Sequence, residues 1–277
     1  MAVEVIDTHT HVVSADHVRY PVNPGVGEEQ SWHREHPVDA EALVALADVA
    51  GVRALALVQA ISCHGYDNRY VLHSARAHPG RTVAIGAVRS DDGQAVAALR
   101  RDVMEHGARG VRLFAVGGST APLDHPDARA VAAAAADLQI PVVLLTVAAQ
   151  LPSVRALVRA FPTVPFVLDH CGFADLGGDA SFTRAAELFV LAESSNLNLK
   201  VSSMTLRATA HPEDLWSTLV SRFGSERLMW GSDYPHTNAP SYAALVALAL
   251  ETTSGLPENA RAAVLAGTAR RLWPEFA

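Results

Sequence analysis

Residues 3–11 read VEVIDTHTH. The short Val- and Ile-rich run Val3–Asp7 has the pattern of a buried parallel strand, and two histidines, His9 and His11, follow at its C-terminal end. Side chains alternate across a strand, so His9 and His11 are expected on one side together. Seven similar runs follow: Arg53–Gln59, Thr82–Val88, Gly110–Phe114, Pro141–Leu145, Pro165–Asp169, Leu197–Ser202 and Arg227–Gly231. After a longer first interval their starts fall 24 to 32 residues apart, which is one strand–helix unit each time.

The intervening segments read as helices. Val154, Leu157, Val158 and Phe161 form an apolar stripe that Pro162 ends, and Leu215, Trp216, Leu219, Val220 and Phe223 form another between Pro212 and Gly224. Asp127–Leu138 is rich in alanine, and Pro240–Glu251 and Glu258–Leu272 supply the last two helices. Eight strands alternating with helices define an α/β chain, a single-domain (β/α)₈ TIM barrel over residues 1–277. The runner-up is an open doubly wound sheet; no glycine fingerprint follows the first strand to support a dinucleotide site. The long first interval gives a rim loop at about residues 12–50, whose stretch 14–36 is rich in Pro, Gly and His.

Composition narrows the function classes. The 277 residues are 49% hydrophobic and carry a formal charge of -7, with a pI near 6.0. Basic residues are scattered, so neither nucleic acid nor an anionic membrane surface is an expected partner. The most apolar stretch, around Val131–Leu145, is interrupted by Asp137, Gln139 and Pro141 and is no membrane span. Two cysteines in a chain of this size, with no visible secretory signal, suggest a cytoplasmic protein. The outer helical ring of a barrel could support a homodimer.

The chemistry is expected where the strands end. His9 and His11 close the first strand, and a pair of neutral imidazoles is a start for Zn²⁺ or a similar ion. His170 closes the sixth strand in VLDHCG (167–172); by alternation Asp169 and His170 point apart, and His170 is assigned inward. Asp233, in WGSDYPH (230–236), stands at the mouth beside the first strand, where a carboxylate can ligate a metal or take a proton from water. Each has a bland alternative: surface histidines, a hydrogen-bonded rim histidine, a helix N-cap. Their convergence in a closed barrel favours a site, with Asp233 and His170 catalytic and His9, His11 and Asp233 as metal ligands.

Other positions are expected to touch a small-molecule substrate. Arg112 suits a carboxylate, or else forms a structural ion pair. Gln59 and His64 are expected substrate contacts, with Tyr66 nearby, whereas Asn68 reads as a helix cap. Lys200 and Ser202 share a face of the seventh strand, Lys200 as a contact or a buried ion-pair partner. His33 and His36 read as solvated lid residues. Substrate choice is expected to reside in the loops 14–35 and 117–124. Cys63–His64 and His170–Cys171 are no nucleophile dyads, because neighbours in an extended segment diverge.

The motifs IDTHTH (6–11), VLDHCG (167–172) and LMWGSDYPH (228–236) resemble the amidohydrolase superfamily, in its amidohydrolase-related branch of small barrels. GVRALALVQ (51–59), DNRYVL (67–72), HPGR (78–81) and ARGVRLF (108–114) are similar to its lactonase-like members. The resemblance implies a hydrolase of a small carbonyl substrate, a lactone first of all, with His9 and His11 as metal ligands, His170 binding metal or orienting water, and Asp233 as the base. The family's strand-five histidine is replaced by Thr146, and its bridging strand-four lysine has no counterpart in Leu113-Phe114-Ala115. That implies at most one divalent metal, Zn or Mn, with a metal-independent reaction as the alternative. Non-oxidative decarboxylation, cyclisation or dehydration, and ligand binding without turnover are the rival readings.

Overall fold

A computed structural model describes residues 3–24, 31–116, 120–236 and 241–276. Eight parallel strands run in chain order: β1 (Val5–Thr10), β2 (Val52–Val58), β3 (Thr82–Val88), β4 (Gly110–Ala115), β5 (Val142–Thr146), β6 (Phe166–Leu168), β7 (Leu197–Ser202) and β8 (Leu228–Gly231). The seam between β8 and β1 is drawn together by the bridge Thr10–Tyr234, by the Thr8 hydroxyl on the Trp230 carbonyl (2.6 Å) and by the Asp233 amide on the His9 carbonyl (2.8 Å). The expected (β/α)₈ barrel is thus formed, with helices between the strands. Parts of the two loops expected to choose substrate, at 25–30 and 117–119, and Pro240, the expected start of a helix, lie outside the described residues.

Strand alternation sorts the core into two layers. Along β2, Ala54, Ala56 and Val58 belong to the barrel interior, and Leu55 and Leu57 pack outward under the helices. Val143 and Val167 add to the interior, and Trp273 and Phe276 from the C-terminal end join the same cluster. Trp273 donates its indole N–H to the Arg109 carbonyl, so its one polar atom is satisfied in burial. Among the described residues no helix is long and apolar enough to cross a membrane.

Two local departures from regularity position the site. Ile6 lies in the interior cluster and His9 also faces the interior, three residues further on. Strict alternation forbids this; a register shift between β1 and β2 within Asp7–Thr10 absorbs the extra residue. At the β8 side Gly231 is required: a Cβ there would lie 2.6 Å from the His9 Cβ and 3.0 Å from its backbone nitrogen. Only a residue without a side chain lets β8 pass so close to the histidine.

Candidate active site

The expected rim residues meet at the C-terminal end of the barrel, around a cavity of about 300 Å³. His11, Arg112, His170 and Asp233 line it. His9 is buried just beneath, with Nε2 3.5 Å from Asp233 Oδ1. His11 Nε2 lies 3.4 Å from the same oxygen. His236, three residues past Asp233, brings Nδ1 to 3.3 Å from Oδ2.

Below these groups lies a buried charge network. Asp169 sits 3.2 Å from His9 Nδ1 and 3.1 Å from Lys200 Nζ through Oδ1, and accepts from Arg112 Nε at 2.8 Å through Oδ2. Burial would push its carboxyl up, but Lys200, His9 and Arg112 outweigh this and hold it well below the usual carboxylate range. Asp169 was expected to point away from His170. Instead β6 ends at Leu168, and His170, Cys171, Gly172 and Phe173 all take positive φ. Past Leu168 the backbone is no longer a strand, so alternation ceases to apply and both Asp169 and His170 turn inward.

Burial disfavours the charged form of His9, His11 and His170. Burial lowers His9 well below its ordinary value against the pull of Asp169, and burial also lowers His11 and His170. Asp233 is the opposite case: burial raises it, and the imidazoles around it, His170 first and then His11, His236 and His9, more than offset this and hold the carboxyl well below its normal range. The His9 tautomer is assigned from its neighbours. His9 Nδ1 lies 3.2 Å from Asp169 Oδ1 and 3.3 Å from Lys200 Nζ; the carboxylate beside it assigns the ring proton to Nδ1, which leaves a lone pair on Nε2. The Val58 carbonyl, 2.9 Å from His11 Nδ1, fixes the same tautomer there. Two ring lone pairs and a carboxylate oxygen therefore face one another without a shared proton. His9 Nε2 and His170 Nδ1 are buried with no hydrogen-bond partner.

Such a donor set suits a cation. Among the described residues, His9, His170 and Asp233 each offer a ligand atom within 4.8 Å of one another. His11, expected in the ligand set, is not part of this compact group, whereas His170 is. The carboxylate behind His9 is the arrangement that orients metal-binding histidines. Thr146, at the strand-five position, donates its hydroxyl to the Ala115 carbonyl.

The secondary expectations divide. Arg112 both pairs with Asp169 and lines the cavity. Lys200 is wholly buried in the ion-pair network, and Ser202 caps the following turn through the Thr205 amide. Gln59 is corrected: its carboxamide donates to the Gly65 and Asp67 carbonyls, fixing the loop after β2, and it does not line the cavity. His64 is likewise outside the lining, buried between the Ser14 amide and the Pro21 carbonyl. Asn68 stands at the N-cap position of the helix Arg69–Ala77 as expected, but its side chain makes no cap bond; it clasps both backbone groups of Ala87 and donates to Asp102. His33 is buried rather than solvated, whereas His36 is exposed. Burial raises both Cys63 and Cys171, to about 11 and about 12, consistent with inert thiols.

Trp32, Phe173 and His236 line the cavity without having been singled out. The Trp32 indole donates to Ser62 Oγ at 2.9 Å and lies against the His11 and His236 rings. A large aromatic in an otherwise polar rim loop was the signal available for it.

A barrel of eight parallel strands, with histidines and an aspartate meeting at its C-terminal rim, defines the barrel hydrolases. The sequence profile of the amidohydrolase family matches residues 6–274, and the chain belongs to that family. A 2-pyrone-4,6-dicarboxylate hydrolase of Comamonas testosteroni is 28% identical over 248 residues, 84% of this chain and 77% of that protein. An L-fucono-1,5-lactonase of Burkholderia ambifaria is 27% identical over 207 residues, 72% of this chain and 69% of that one. Among solved structures, a Pseudomonas putida protein described as a 2-pyrone-4,6-dicarboxylic acid hydrolase superposes with a TM-score of 0.78 at 26% identity, covering 100% of both chains.

Proposed function

We propose that the chain hydrolyses a small lactone, with Asp233 as the base. The observation that carries this is the ionised, buried Asp233 at the cavity floor, with His236 on Oδ2 and the His9 and His11 nitrogens facing Oδ1. Both named relatives act on lactones, which supports the substrate class.

Asp233 takes a proton from a water in the cavity, and the hydroxide adds to the lactone carbonyl carbon. The carbonyl π-bond becomes an oxyanion; its collapse breaks the ring C–O bond, and the proton held on Asp233 passes to the leaving alkoxide. The His236 contact fixes the direction of Oδ2. Neutral His9 and His170 fit one Zn or Mn together with Asp233, and such an ion would polarise the carbonyl and acidify water when bound.

Ring opening by Asp233→Asn is expected to fall by about 10²–10⁴-fold, the range of general acid–base catalysis. Full turnover by that variant overturns the proposal.

A further inference from the structure

We infer that the substrate carries one carboxylate on an otherwise apolar body, unlike the dicarboxylated lactone in the name of the Comamonas relative. The inference rests on the lactone-hydrolase reading and narrows it to a substrate class.

The cavity lining has a polar floor and carbon walls. Beside His11, His170, His236 and Asp233, the lining includes Trp32, Ile61, Phe114, Leu145, Phe173 and Met204. Among the described residues, Arg112 is the lining guanidinium or ammonium, and Asp233 the lining carboxylate. The segments 25–30, 117–119 and 237–240 contain no Lys or Arg in their sequence, so they add no such cation. Arg112 spends Nε on Asp169, and among the described residues its two outer nitrogens have no hydrogen-bond partner. That free end accommodates one carboxylate. Ser62 Oγ is engaged by the Trp32 indole.

A second carboxylate would be stripped of water against the carbon walls, with no further lining guanidinium or ammonium among the described residues to meet it. Removing a charge from water without a partner is strongly unfavourable. A methyl or aryl group at the same ring position gains by burial instead. The lining therefore discriminates by charge, at the part of the ring away from Arg112.

The test compares 4-methyl-2-pyrone-6-carboxylate, 2-pyrone-4,6-dicarboxylate and L-fucono-1,5-lactone. Two quantities are read: kcat/KM of the native protein, and Kd of each intact lactone for Asp233→Asn. The monocarboxylate is expected to lead by at least about tenfold in Kd, the effect of one unpaired buried charge. Met204→Arg, which adds a cation to the wall, should narrow the gap to the dicarboxylate at least about threefold. Tighter binding of the dicarboxylate or the sugar lactone, or binding of none, overturns the inference. If the monocarboxylate binds with the expected preference but is not opened, the ligand class stands and lactone hydrolysis fails.

Discussion

Asp169 Oδ1 lies 3.2 Å from His9 Nδ1, with both side chains fully buried. This contact places the imidazole proton on Nδ1 and turns the free lone pair of Nε2 toward Asp233, 3.5 Å away. A buried charge network, which reaches the cavity through Arg112, thereby sets the electronic character of the site above it. Four consequences can be measured.

Metal content should follow the compact ligand set. Protein prepared without chelator is expected to carry about one Zn or Mn per chain, since three protein ligands and one open position make a catalytic site. His9→Ala and His170→Ala should both empty it. His11→Ala should retain most of the ion, because His11 lies outside the group whose ligand atoms approach within 4.8 Å. The reverse ranking, with His11→Ala empty and His170→Ala loaded, would return the site to the His9–His11 pair.

Asp169→Asn removes the anion that Lys200 and Arg112 share. Two cations then remain buried with one another, and breaking such a pair costs about 3–5 kcal/mol. Lys200→Met should cost less, since Asp169 keeps Arg112 and His9. Denaturant unfolding of the two variants reads the difference directly. Equal losses would show that Asp169 is not the centre of the network.

Much of this was legible in the sequence, and the failures have a common cause. The strand period placed β3 and β7 at their observed bounds and the others within one residue, except β1, which starts two residues later and ends three residues later than expected, because buried parallel strands are apolar on both faces. His9, His11, His170 and Asp233 were visible because polar residues interrupt those runs at the rim. Asp169 was lost because alternation was extended beyond Leu168 into a left-handed turn, where it has no force. Gln59 and His64 were misread because a loop's backbone carbonyls and amides need partners, and polar side chains near the rim supply them as readily as they bind substrate. Nothing in a one-dimensional pattern distinguishes the two uses.

Asp7 predicts an unusual pH dependence. Burial pushes its carboxyl from 3.8 up to about 6, although the Ser232 and His9 amides and the Tyr242 hydroxyl all bond to it. The folded chain thus holds this proton better than the unfolded chain. The resulting stability is complete below about pH 4 and disappears as pH rises through 6. The shift corresponds to about 3 kcal/mol. In Asp7→Asn the carboxamide oxygen can still accept both amides, and its nitrogen can donate to Tyr242. Relative to the native protein, the variant should match it near pH 4 and gain stability between pH 4 and 7. A difference that stays flat across that window would refute the buried-carboxyl assignment.

Gly231→Ala tests whether the seam between β8 and β1 sets the catalytic geometry. The added methyl would stand 2.6 Å from the His9 Cβ, a distance that requires movement. Neither side can yield easily. The His9 carbonyl receives the Asp233 amide, and Ser232, the residue that follows β8, donates its amide to Asp7. The strand can only shift as a unit, carrying Asp233 away from His9 and His11. Overpacking of this kind costs about 1–3 kcal/mol of stability. A displacement of about an ångström in a catalytic group costs on the order of 10²-fold in rate. Activity should therefore fall by more than the loss of folded protein explains, in a chain that still unfolds cooperatively. If turnover per folded molecule is unchanged, the seam has slack, and the close approach of Gly231 to His9 matters to packing alone.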